Sequence, residues 1–280
     1  MKTAIIAGNG DIAIRCTQIL QQHAHILAVS PDPKDTGTAT WQPSFAAYAE
    51  SQNLPLHRTK LRESLDWLKN SKPDFLFSFQ CAELLTKEVI ESATYGVINL
   101  HFSPLPRYRG CFPGAWSLLN GETEMGVTLH YIDEGIDTGD IIAQKIFPIQ
   151  PADTAKDVYL SCIEHGTQLF SEHCLPVLEQ KNTRTPQKNE DYTYYGRNTI
   201  HFSEKTVQWN QPTERLYNWI RAFTFPPLQW PVCEFGSIVH AERRMLYPVQ
   251  SPGTVISRSD NTLTVATLDG ALYIHVEPEA

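Results

Sequence analysis

The sequence predicts an α/β fold: a doubly wound, mostly parallel sheet followed by a smaller β-rich subdomain. Three observations predict it. Short apolar runs, KTAIIAG (2–8), FLFSF (75–79) and VINL (97–100), alternate with stretches of helical length through residue 100. FLFSF is almost wholly apolar, as parallel strands covered on both faces are. Beyond residue 230 the runs VCEF, GTVIS, TLTVAT and ALYIHV follow one another between turn residues such as Asp269-Gly270.

Taken in order, residues 2–8 read as a buried strand, 11–23 as a helix and 26–30 as a second strand. Gly8-x-Gly10-x-x-Ala13, with Asp32 after the second strand, matches the loose form of a dinucleotide fingerprint. Tight strand-to-helix packing explains the same glycines. Residues 33–44 are a breaker-rich loop, and helices are predicted over 45–52, 61–70 and 86–92, the last with Thr86 as its N-cap. The strand at 97–100 leads into a proline-rich turn, a helix, a second apolar strand and an Asp/Gly-rich loop. Asp153-Thr154 cap a helix over 154–180, in which Val158, Ile163, Leu169 and Phe170 recur at helical spacing. Residues 181–196 are polar and rich in breakers, so a boundary is placed there, giving domains 1–185 and 186–280. A helix over 212–225, with Pro212 in its first turn, opens the second.

Composition narrows the function. With 41% apolar residues the 280-residue chain can bury an ordinary core, and no apolar run approaches the roughly 18 residues of a membrane span. MKTAIIAGNG is read as a strand, not a signal peptide. Lys and Arg total 23 against 31 Asp and Glu, a formal charge of -8, which argues against a dedicated nucleic-acid binder. The basic clusters, Arg107/Arg109 and Arg243/Arg244, are too small for a tRNA-sized partner. Six cysteines without a C-x-x-C pair suggest a reducing compartment, the cytoplasm, and no structural zinc.

The chemistry is expected where strands give way to loops. Asn99 and His101, two residues apart at a strand end, share one face. An amide can donate to a developing oxyanion, an imidazole can take a proton near neutral pH, and a carboxylate such as Asp137 can orient and favour the imidazolium. That set suits acyl transfer to an amine without a metal. An Asn-x-His pair alone is also what a satisfied structural pair looks like, and Asp137 could simply bond its own turn. His130 reads as structural and Trp116 as core.

The run NLHFSPLPRYRG (99–110) resembles the signature of formyltransferases that use 10-formyltetrahydrofolate, and so does GVTLHYIDEGIDTGDII (126–142). The resemblance continues at WNQPTERLYNWIRAFTFPP (209–227) and SPGTVI (251–256). It implies a Rossmann-like catalytic domain and a smaller C-terminal subdomain, with catalytic roles on Asn99, His101 and Asp137, where His101 is either the base for the amine or, protonated, an oxyanion donor beside Asn99. It places the folate donor beside 77–85 and 132–140, with Phe79, Cys81, Leu84, Leu85, Asp133, Gly135, Ile136 and Asp140 as its contacts. The turn at the mouth offers Ser103, Pro104, Arg107, Tyr108, Arg109 and Gly110 to the acceptor, although solvated arginines would look the same. The resemblance also demotes the Gly8 fingerprint, since these enzymes carry no nicotinamide.

For the acceptor, residues 190–280 hold seven basic and ten acidic side chains, a poor surface for tRNA phosphates. IRAFTFPP and Tyr217 look most like enzymes acting on amino sugars or small amines. The expectation is a small-molecule amine, foremost an amino-deoxysugar nucleotide, and no nucleic-acid or membrane partner. A carrier-bound aminoacyl group or a hydroxyornithine-type amine is the runner-up. The chain ends at Glu-Pro-Glu-Ala without a clear terminal element, as a piece cut from a larger synthetase would; a homodimer is the other assembly left open. Methionyl-tRNA formylation, a hydrolase of the same donor releasing formate, a nicotinamide oxidoreductase and an inactive folate-binding module are the remaining alternatives.

Overall fold

A computed structural model describes residues 1–188, 190–244 and 250–278. The last two residues of the terminal Glu-Pro-Glu-Ala run, on which the expectation of a larger synthetase rests, lie outside the described residues.

The elements in chain order are β1 (Lys2–Gly8), α1 (Gly10–Gln21), β2 (Ala24–Pro31), α2 (Phe45–Ser51), α3 (Leu65–Ser71), β3 (Phe75–Phe79), α4 (Lys87–Ile90), β4 (Gly96–His101), β5 (Arg109–Gly110) and α5 (Pro113–Leu119). Then come β6 (Glu124–Tyr131), β7 (Ile141–Pro148), α6 (Ala155–Leu178), β8 (Tyr194–Tyr195) and α7 (Thr213–Phe223). The last strands are β9 (Val232–Cys233), β10 (Gly236–Arg244), β11 (Val255–Ser259), β12 (Thr262–Ala266) and β13 (Ala271–Glu277). Two compact units form. The first comprises Met1–Gly110, Gly126–Phe147 and Ser161–Tyr194, the second Cys111–Met125, Pro148–Leu160 and Tyr195–Ala280. Where the sequence suggests one boundary at 185–186, segments 111–125 and 148–160 thus belong with the C-terminal portion.

The first unit holds a six-stranded sheet of order β2-β1-β3-β4-β6-β7. β1 pairs in parallel with β2 and β3, and β3 with β4, whereas β4 and β6 run antiparallel. This is the mostly parallel α/β sheet expected. β3 is buried along its whole length, and Phe77 and Phe79 meet Phe170 of α6 edge-on with ring centroids at 5.6 and 5.0 Å. Gly8 lets β1 approach β3, because a Cβ there would lie 2.5 Å from the Phe79 carbonyl oxygen and 2.9 Å from the Ala13 Cβ. The Cα of Gly10 is covered by the Gln42 side chain, and an Asp32 carboxylate oxygen accepts the Lys34 N–H. The fingerprint glycines and acid therefore serve packing and a turn.

Two helices are shorter than their sequence patterns suggest. The stretch 61–70 splits into a single 3-10 turn at Leu61–Glu63 and α3, because Ser64 between them leaves the helical region at φ -126 and ψ 32, and the Glu83 carboxylate caps the first piece by accepting the N–H groups of Leu61 and Arg62. The Ser92 hydroxyl takes the Val89 carbonyl just past α4, and Thr94 and Tyr95 turn back to bond Pro73 and Asp74.

The second unit holds a five-stranded sheet of order β11-β12-β13-β10-β9 with antiparallel pairings, matching the β-rich subdomain predicted. Leu216, Tyr217 and Ile220 of α7 pack on Ile238, Leu263, Leu272 and Ile274. β10 has no counterpart in the sequence reading. Its register shifts between Ile238 and His240, and such a bulge breaks the two-residue alternation by which a strand is recognised. In this unit Thr154 and Asp157 bond reciprocally at the start of α6, as the predicted cap requires. Among the described residues no helix is long and apolar enough to cross a membrane.

Candidate active site

The site lies in the first unit, at the end of β4. The antiparallel register sets Asn99 opposite His130 and His101 opposite Thr128. Directly opposed residues share a sheet face, so four polar side chains meet at one edge. Thr128 shapes the turn that follows. Its hydroxyl donates to the Ser103 carbonyl at 2.7 Å and accepts the Leu105 N–H at 3.2 Å and the Gln144 amide at 2.8 Å.

That turn brings Tyr108 under His101. The His101 Nε2 lies 3.0 Å from the Tyr108 carbonyl oxygen. A carbonyl only accepts, so Nε2 carries a hydrogen and Nδ1 is the nitrogen left to exchange protons. Nδ1 faces the Asp137 carboxylate, 3.6 Å from Oδ1. The other carboxylate oxygen accepts the Gly110 N–H at 2.8 Å. Asp137 has φ +53, in the left-handed region that Asp and Asn tolerate better than most residues. The three residues expected to carry the chemistry are thus brought together.

His130, read as structural from sequence, belongs to the same cluster. Its Nδ1 donates to its neighbour's carbonyl, Tyr131 O, at 2.7 Å. Its Nε2 is then the lone pair, 3.1 Å from Asn99 Nδ2, and the amide donates to it. The same nitrogen lies 3.8 Å from Asp137 Oδ1. Burial, opposed by Asp137 and reinforced by His101, holds the His130 pKa down at about 4. At neutral pH it is an uncharged acceptor.

A second contributor escaped the sequence reading. Gln187, in the supposed linker, donates to the carbonyls of Asp137 and Gly139, both at 2.8 Å. Its own oxygen accepts from Arg109 Nε at 3.2 Å and Nη2 at 2.7 Å. Arg109 is only 6% exposed. The guanidinium expected to meet the acceptor is instead committed to Gln187 and, through it, to the Asp137 loop. Ser103 and Tyr108 are likewise internal: the Ser103 hydroxyl donates to Arg107 O at 2.8 Å, and the Tyr108 N–H donates to Thr193 Oγ1 at 2.7 Å. Arg107 is exposed, and Pro104 and Gly110 are half-buried. No signal in a single sequence links residue 187 to residue 137. His130 did carry one, an imidazole two residues after Thr128 in the strand that pairs with the Asn-x-His.

The residues expected to hold the donor divide by burial. Phe79 is fully buried between Phe77 and Phe170 and leaves no side-chain surface for a ligand. Cys81 and Leu85 pack on the core below β3, and burial raises the Cys81 thiol to about 11. Leu84 and Ile136 are exposed, 71% and 42%. Their loops are tied by a Lys87–Glu134 ion pair at 2.7 Å. Asp133 closes its own turn, accepting from Gly135 N–H and the Thr138 hydroxyl. Asp140 supplies its carbonyl to Tyr131 N–H, and Gly139 sits where a Cβ would strike the Tyr131 carbonyl. In the second unit Trp116, expected in the core, is half-buried and stacks on Tyr195 with centroids 4.2 Å apart. Among the described residues no group of three or more His, Cys, Asp or Glu could hold a metal ion.

The solved N-formyltransferase from Helicobacter canadensis, in complex with folinic acid and dTDP-3-aminofucose, is 29% identical with a TM-score of 0.84, covering 99% of each chain. WlaRD, a sugar 3N-formyl transferase solved in the presence of dTDP and 5-N-formyl-THF, is 29% identical with a TM-score of 0.83 over 99% of this chain and 97% of its own. The methionyl-tRNA formyltransferase of Geobacillus thermodenitrificans is 30% identical over 95% of this chain and 86% of its own length. The formyl transferase family model matches residues 1–174, and the formyl transferase C-terminal domain model matches 199–278. With both models matched in order and the first covering more than half of its residues, the chain belongs to the formyl transferase family.

Proposed function

We propose that the chain, an N-formyltransferase, moves the formyl group of 10-formyltetrahydrofolate onto the primary amine of an amino-deoxysugar nucleotide. The observation that carries the chemistry is the convergence of the Asn99 amide, His101 Nδ1 and the Asp137 carboxylate at the end of β4. The amine attacks the formyl carbon, and the carbonyl electrons move to oxygen. The Asn99 N–H not given to His130 supports that oxyanion. His101 Nδ1 takes the proton that the amine sheds, and Asp137 stabilises the imidazolium. Collapse breaks the bond from the formyl carbon to N10, which takes up the proton held on His101, so that the imidazole is neutral again as tetrahydrofolate leaves. The donor's ring is assigned to the paired loops bearing Leu84 and Ile136, whose exposed apolar side chains suit a flat heterocycle.

The amino-sugar acceptor is supported by the two sugar N-formyltransferases, which match almost the whole chain. The methionyl-tRNA relative raises a second reading, and charge disfavours it. Arg243 is paired with Glu214 at 2.6 Å, Arg244 with Glu242 at 3.1 Å, and Arg221 is buried, while acidic residues outnumber basic ones over 190–280, a poor surface for phosphates. The test is incubation with 10-formyltetrahydrofolate and a panel of dTDP-amino sugars, methionyl-tRNA and carrier-bound amino acids, following tetrahydrofolate release and acceptor mass. A formyl mass gain on a sugar nucleotide supports the reading. Gain on methionyl-tRNA or the carrier alone overturns the acceptor, and formate release without any acceptor overturns transfer.

A further inference from the structure

We propose that His130 is a positioning residue for the reaction: its Nε2 lone pair fixes the Asn99 amide in the one orientation that presents an N–H to the formyl oxygen. The inference rests on the role proposed for Asn99 and deepens it.

An asparagine amide has a donating and an accepting end that occupy nearly the same volume, so packing alone does not choose between them. Reversed, Asn99 would direct its carbonyl dipole at a developing oxyanion and oppose the reaction. His130 makes the choice by hydrogen-bond logic. Its Nδ1–H is held by the Tyr131 carbonyl at 2.7 Å, which leaves Nε2 without a hydrogen. Nε2 then accepts from Asn99 Nδ2 at 3.1 Å, whereas the reversed amide would set two lone pairs against each other. The amide nitrogen has a second hydrogen, and that one is free for substrate. The imidazole itself is 1% exposed and is held by the strand register opposite Asn99, so it has little room to turn away. Around it lie Asp137 Oδ1 at 3.8 Å and the His101 ring at 6.3 Å, both on the reacting side. Burial keeps the ring uncharged, and a second hydrogen on Nε2 would invert the preference and favour the wrong end of Asn99.

The test is steady-state kinetics on His130→Leu and His130→Gln, each alone and in an Asn99→Ala background, with a dTDP-amino sugar as acceptor or whichever amine the panel identifies. Leu removes the acceptor, while Gln can still offer an oxygen near the Nε2 position. His130→Leu is expected to lower kcat by about 10- to 100-fold, short of the full loss of an oxyanion donor. KM for the formyl donor should stay within about twofold, and His130→Gln should recover most of the loss. Because His130 acts through Asn99, adding His130→Leu to Asn99→Ala should cost nothing further. If His130→Leu does not fold, His130→Met, a far weaker acceptor, takes its place. An undiminished kcat in His130→Leu, a Gln variant as impaired as Leu, or an equal further loss in the Asn99→Ala background overturns the proposal. Near-normal kcat in Asn99→Ala overturns the role of Asn99, and this inference with it. A crippled Asn99→Ala beside a fully active His130→Leu overturns this inference alone.

Discussion

Replacing Gln187 by Ala removes one amide from a segment that bears no reacting group, and it should still loosen the site. Two donated hydrogen bonds, to the Asp137 and Gly139 carbonyls at 2.8 Å, are lost, at about 1 kcal/mol each. Arg109, 6% exposed, also loses the oxygen that accepts both its Nε and Nη2 and keeps, among the described residues, the Tyr192 ring, 5.3 Å away. Leaving a buried charged donor so under-satisfied adds about 1–3 kcal/mol. The expected loss is therefore about 3–5 kcal/mol, read as a shifted urea midpoint of the transition that includes the first unit. The diagnostic measurement is a double-mutant cycle. Arg109→Leu alone strands the Gln187 oxygen and should cost about 2 kcal/mol. In Arg109→Leu/Gln187→Ala no cation is left stranded, so the combined loss should fall short of additivity by about 1–2 kcal/mol. Single losses that add to within about 0.5 kcal/mol, or a loss below about 1 kcal/mol for Gln187→Ala, would refute the reasoning.

His130 predicts a pH dependence of stability. Unfolded, its imidazole titrates near 6.5, and folded it is held at about 4 by burial. Between those values the unfolded chain binds more protons, so the folded state weakens as pH falls from about 6.5 to about 4, by at most roughly 1.4 kcal/mol per unit. His130→Leu should lose that part of the slope, and equal slopes in both proteins would contradict the assignment. Phe170→Ala should cost about 3–5 kcal/mol, since its ring is fully buried against Phe77 and Phe79; a midpoint shift worth less than about 1 kcal/mol would show that α6 packs otherwise. Gly8→Ala should destabilise by about 1–3 kcal/mol, because its Cβ would meet the Phe79 carbonyl oxygen at 2.5 Å. An unchanged urea midpoint would mean the β1–β3 approach is looser than described.

Much of this was legible from residues alone, for identifiable reasons. FLFSF announced a strand buried on both faces because burial and composition act on the same few residues. Asn99 and His101 were legible because a strand's period puts them on one face, and Asp137 because an acid in a Gly-rich turn stands out. The rest depended on partners far away in sequence. Arg109 looks exposed because arginine ordinarily is, and Gln187, 78 residues on, is what takes up its Nε and Nη2 when it is buried. His130 looked structural because its meaning comes from antiparallel register with Asn99. β10 was invisible because a bulge disrupts its alternation.

The stretch from Thr185 to Thr193 bears on how this enzyme can be divided. It falls between the two regions matched by the family models, 1–174 and 199–278, and its polar composition invites a cut. Yet Thr185 pairs with Ile141, Gln187 closes on the Asp137 turn, and Thr193 receives the Tyr108 N–H. A fragment ended at residue 174 would retain Asn99, His101 and Asp137 in its sequence. It would lack the clasp that holds their loops in place, and so would resemble a lock with every pin present and no barrel. Dissection of this chain for study of the first unit alone should therefore keep residues through Tyr194.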